Sequence, residues 1–144
     1  MKPGMLDDFQ RLFCAACSVQ RAQLPDVAAI PFDGWLEPSD IDMELYRTLR
    51  RLEPFGEGTP EPVFGLRGVH FSDAHPVGSE GRHAAFAFSS RTLPRAVWWG
   101  HGADTEEIRA HCSSAYDILF TLTASSYNSS EPHPELRIVD IRPS

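Results

Sequence analysis

The chain has 144 residues, 42% of them hydrophobic and 23% charged, with 13 basic against 20 acidic side chains and a net charge of −7. That length and apolar content support one packed globular unit and exclude global disorder. No run of about 18 apolar residues occurs, the first ten residues carry no secretory h-region, and three cysteines do not make a disulfide framework, so a reducing cytoplasm is the expected location.

Leu6, Phe9, Phe13 and Cys17 recur at spacings of three and four, which predicts a first amphipathic helix ended by Pro25. Asp7 and Asp8 suit its positive N-terminal end. Ile30–Leu36 reads as extended. Pro38-Ser39-Asp40 opens a second helix, with Ser39 and Asp42 at capping-box spacing. Ile41, Leu45, Leu49 and Leu52 form its apolar stripe, and Arg47, Arg50 and Arg51 lie on its exposed side or in its last turn.

Residues 54–62 form a junction. Pro54, Pro60 and Pro62 with Gly56 and Gly58 exclude helix and central strand, and Phe55 is placed to anchor the segment in a core. This reads as a fixed elbow rather than a floppy linker.

Beyond the elbow the chain turns β-rich. Strands are expected over 63–72, 83–90, 95–100, 116–127 and 136–141, with a short helix from Asp104 to His111 between the third and fourth. Turn signals separate them at 78–81, 90–92 and 128–134. Five strands with one helix after the third is the order of an OB-type Greek-key barrel. The expected fold class is therefore α+β: a helical segment over 1–53, the elbow, and an OB barrel over 63–144.

The stretch LRRLEPFGEGTPEPVFGLRGV, residues 49–69, carries a long and specific pattern. It resembles the segment joining the second and third domains of RecJ-type single-strand-specific exonucleases, which reads close to L-x-x-L-x-P-F-G-x-G-N-P-E-P-x-F. Thr59 stands where the family usually has Asn. The resemblance continues through GRHAAFAFSS, RAVWWG and LRIVDIRP as barrel strands. Upstream, FDGWLEPSDIDMELYRTL and LDDFQRLFCAAC are similar to the end of the family's DHHA1 domain.

The resemblance implies a single-stranded-DNA-binding barrel of a DNA repair or recombination exonuclease. The aspartate and histidine motifs of the catalytic DHH domain, which hold manganese or magnesium, do not occur here. Asp40-Ile41-Asp42 has no histidine partners, and the family's Gly-Gly-His would lie before residue 1. The chain is thus expected to be a C-terminal piece or a small relative, inactive alone, with no cofactor of its own. A catalytic DHH domain or subunit is a possible partner, and the alternative function is an OB-type docking module for a protein.

OB barrels grip single strands with exposed aromatics and basic side chains. Alternation puts Phe86 and Phe88 on one face and Ala85 and Ala87 on the other, so the phenylalanines are expected inside and the alanines outside. Val97 and Trp99 share a face, as do Ala96 and Trp98. Trp99 is expected in the core, and Trp98 reads as either a stacking platform or a covered surface residue. Tyr127 reads as a stacking residue or as a rim residue packed on a loop. Arg67, Arg82, Arg91, Arg95 and Arg137 are the candidates for phosphate contact; each also reads as a solvated surface arginine. Cys14 and Cys17 make a CxxC inside a helical pattern with no second pair, which favours packing over zinc or redox chemistry. The six histidines show no metal spacing.

The acidity argues against nucleic acid, whose affinity comes largely from phosphate neutralisation. Its distribution softens that argument. Residues 1–61 carry a net −5 and residues 62–144 a net −2, the latter with seven arginines and no lysine.

Overall fold

The computed structural model describes residues 29–144. The expected first helix and the Cys14–Cys17 pair lie outside those residues. The first described element is β1, Gly34–Trp35. A 3-10 turn, Pro38–Asp40, and helix α1, Met43–Arg50, follow. The cap differs from the expected Ser39–Asp42 box. Asp42 itself caps α1, its carboxylate accepting from the Leu45 N–H at 2.7 Å. Asp40 instead accepts from the Glu37 N–H at 2.9 Å and closes the 3-10 turn. Each bond satisfies a donor that a helix start leaves open.

The buried stripe of α1 also stops short of expectation. Ile41 is buried, and Leu45 and Leu49 pack half-buried against the core. Leu52 is 56% exposed. The helix has ended by then, so Leu52 no longer follows its period. Arg47, Arg50 and Arg51 all face solvent.

In the elbow, backbone bonds between Gly56 and Thr59 run in both directions, at 2.8 and 3.1 Å. They make a tight turn without help from the Thr59 side chain. Phe55 is half-buried, beside Tyr46, Leu49 and Leu122 at a small cleft. Asp33 then clips the far end of the elbow to β1. Its N–H donates to the Val63 carbonyl at 2.7 Å, and its carboxylate accepts from the Val63 N–H at 2.8 Å.

Six further strands complete the sheet: β2 Phe64–Val69, β3 Phe71–Val77, β4 His83–Phe88, β5 Ala96–Trp98, β6 Tyr116–Ser125 and β7 His133–Pro143. Helix α2, Thr105–Ala110, lies between β5 and β6 as expected. The hydrogen-bonded order is β1-β2-β6-β7-β5-β4-β3, an open sheet of seven strands rather than a barrel of five. Two causes account for the difference. The segment expected over 63–72 runs on to Val77 and splits at His70, so β2 pairs with β6 while β3 pairs with β4. The short β1 adds a seventh strand, parallel to β2. Pro76 is tolerated within β3 because β3 is an edge strand and its missing N–H faces no ladder.

The bend at His70 lets one stretch of chain serve both ends of the sheet. The core sits inside that bend. Phe71, Phe86, Phe120, Leu66, Ile118 and Leu136 are its largest fully buried side chains. The Phe71 ring lies 4.9 Å from Phe86 and 5.3 Å from Tyr116, which ties β3 to β4 and to β6. Burying each such ring contributes about 1.5–3 kcal/mol. Helix α1, the elbow and the sheet all belong to one compact unit, Phe32–Ser144.

Candidate nucleic-acid interface

Strand β5 is the centre of the site, and its short sequence decides which tryptophan is accessible. Ala96 points into the core and is fully buried, so Trp98, two residues on, follows it inward and packs on the core cluster. Trp99 emerges on the opposite side with 56% of its surface exposed. The expected orientation is therefore reversed: Trp99 is the open aromatic, while Trp98 is half-buried and stacks on His101 with centroids 3.6 Å apart. Alternation groups these residues correctly, but the small Ala96 gives little sign of which group faces the core.

One row of outward positions crosses five strands in register: His75, Ala85, Val97, Arg137 and Thr121. The small members are covered. Ala85, placed on the outer face as expected, is completely buried there, and Val97 and Thr121 are also buried. His75 and Arg137 are exposed. The Thr121 hydroxyl has no hydrogen-bond partner.

Along β5 the same face runs from Trp99 through Val97 to Arg95, about 13 Å at the usual strand rise. At one end Trp99 meets the His83 ring edge-on at 4.3 Å, and His83 Nδ1 accepts from the Gly100 N–H at 3.0 Å. At the other end Arg95 lies over the Tyr127 ring, 4.3 Å from its centre. Glu135 holds the same guanidinium at 3.5 Å. Tyr127 stays 57% exposed at the start of the β6–β7 loop. An aromatic therefore stands at each end of this face, and Arg95 and Arg137 lie between them.

The other candidates lie apart. Arg67 covers the exposed Trp35 ring at 4.2 Å, at the β1–β2 end of the sheet, with β6 and β7 between β2 and β5. Trp35 was not singled out from the sequence; the neighbouring Gly65 is what admits it. A Cβ at Gly65 would come within 2.6 Å of the indole. Arg82 is paired with Glu80 in the exposed β3–β4 loop. Arg91 is exposed in the β4–β5 loop. Among the described residues, no group of three or more His, Cys, Asp or Glu side chains is placed to hold a metal ion.

Residues 32–140 match the RecJ OB domain. The chain belongs to the RecJ OB domain family. It is 35% identical over 91 residues to the single-stranded-DNA-specific exonuclease RecJ of Thermus thermophilus, a match covering 62% of this chain and 13% of that protein. Crystal structures of Thermus thermophilus RecJ with Mn2+ and with Mg2+ superpose with TM-scores of 0.62 and 0.60, at 28% and 25% identity. Each superposition covers 93% of this chain, against 19% and 20% of those RecJ chains. This RecJ OB chain thus corresponds to a minor part of its relative's length.

Proposed function

We propose that this RecJ OB domain is a non-catalytic module that binds single-stranded DNA for a RecJ-like exonuclease in DNA repair or recombination. The observation that carries the reading is the outer face of β5. Exposed Trp99 and Tyr127 bracket Arg95 and Arg137 on one surface. Bases stack on aromatics whatever their identity, and guanidinium groups between them meet the phosphates. The metal chemistry, with manganese or magnesium, belongs in this reading to a DHH domain or subunit, and the cytoplasm is where such a module works.

The net charge of −7 makes the expected binding weak and salt-sensitive in isolation. Fluorescence anisotropy with a labelled oligonucleotide tests it. Binding that weakens steadily with added salt is expected, and no detectable binding at about 50 mM salt overturns the reading for this chain.

A second reading, an OB-type docking module, is favoured by one feature. Phe32 and Trp35 are both exposed and pack edge-to-face at 4.9 Å beside Arg67. Co-purification with a DHH-domain protein, lost on Trp35→Ala, is the result that reading requires.

A further inference from the structure

A cavity of about 410 Å³ opens on the other side of β5, between α2 and the end of β7. Small-ligand sites typically enclose about 300–1,000 Å³. Its walls include Trp98, Tyr116 and Ile141, which also pack against the core. Apolar walls alone would admit any small hydrophobe, so the charged groups decide what fits.

The carboxylates are Asp104 and Glu107, the imidazoles His101 and His111, and no arginine or lysine is on the lining. Asp104 is held by His101 Nδ1 at 2.6 Å, and that imidazole lies flat against Trp98. The Glu107 carboxylate makes no hydrogen bond or ion pair with another described residue. A phosphate or carboxylate ligand would meet two carboxylates here, and the only cation-forming groups, His101 and His111, already have their Nδ1 atoms against Asp104 and the Glu107 carbonyl. A cation with an apolar body would meet a carboxylate at one end and the apolar wall of Trp98, Tyr116 and Ile141 along its length, both favourable.

We propose that this cavity binds a guanidinium or ammonium group carried on an apolar stem. The stem lies along Trp98 and Tyr116, and the cationic head reaches Glu107. Trp98 and Trp99 face opposite sides of β5, so this site is separate from the proposed nucleic-acid face and does not rest on it.

The test is an NMR titration of the full chain, following the indole N–H signals. Trp35→Phe and Trp99→Phe, both at exposed positions, assign the three tryptophans. N-acetylarginine amide should shift the Trp98 signal saturably and leave Trp35 and Trp99 unmoved. N-acetylcitrulline amide, nearly the same shape without the charge, should bind at least about tenfold more weakly, as should arginine to the Glu107→Gln variant. The same arginine within a capped glycine pentapeptide separates two sources of the cation. Tighter binding of the peptide identifies a partner's side chain, and equal binding identifies a free small amine. An unmoved Trp98 signal, or equal binding of arginine and citrulline amides, overturns the proposal.

Discussion

The Arg95 guanidinium rests on the Tyr127 ring, 4.3 Å from its centre, while Glu135 grips the same group from β7. Tyr127 lies in a loop and Arg95 just ahead of β5, so the contact fixes a loop aromatic against the sheet. A base stacking on Tyr127 would find it already oriented, with less side-chain entropy left to lose.

Trp99→Ala and Tyr127→Ala should each weaken oligonucleotide binding by about 5- to 100-fold, the span of one lost stacking contact. Both rings are exposed, so the melting temperature should barely move. Anisotropy titrations paired with thermal unfolding check this. Loss of affinity accompanied by loss of fold would point to a structural role for the rings.

Arg137 carries the salt dependence in this reading, since its side chain has no carboxylate partner among the described residues. Arg137→Gln should lower the slope of log K against log salt by about 0.7, the value for one single-strand phosphate contact. Arg82→Gln should leave the slope almost unchanged, because Arg82 is exposed and already paired with Glu80. Salt titrations of both variants separate a contact from a general charge effect.

Thr121 buries a hydroxyl without a partner. Thr121→Val keeps the shape and removes that group, so it should stabilise the fold by about 1 kcal/mol. A rise in the urea midpoint at constant m-value is the expected readout. A fall would mean that the hydroxyl is hydrogen-bonded in solution.

Burial raises the pKa of Tyr116 above its ordinary 10.0, and the nearby Cys112 and Glu107 add to the rise. The unfolded chain therefore releases this proton at lower pH than the folded one. The stability contribution is whole below pH 10 and is lost as pH rises through the higher folded value. Tyr116→Phe should flatten that alkaline loss, measured as unfolding midpoints across the window.

Where one pattern dominated, the sequence was legible. Phe86 and Phe88 alternate with alanines, and both are buried as expected. The helix predicted from Asp104 appears as Thr105–Ala110 because its acidic first turn and following turn residues agree. Strand β5 was harder. Both faces carry a tryptophan, so size could not tell inside from outside, and the packing of Ala96 and Trp98 on the core cluster settles the orientation. The split at His70 was harder to read: Gly68, at φ +60°, bends the chain just before it, but the break itself follows from pairing with two distant strands. Trp35 and the Trp98 cavity were invisible as sites because each assembles side chains far apart in the chain. The residues of the β5 face came partly from alternation and partly from the family resemblance, and the geometry replaces Trp98 with Trp99 among them.

Gly34 and Trp35 lie beside Phe64 and Gly65, although α1 and the elbow separate them in sequence. The intervening chain is therefore a handle fastened at both ends to one edge of the sheet. A pull along the backbone from Phe32 would load the β1–β2 hydrogen bonds before any tension reached the prolines of the elbow. A cut at the Gly56–Thr59 turn would likewise open the handle without freeing α1, since Leu45 and Leu49 stay packed on the core and β1 stays paired. The elbow thus serves less as a hinge than as a strap whose two ends cannot separate.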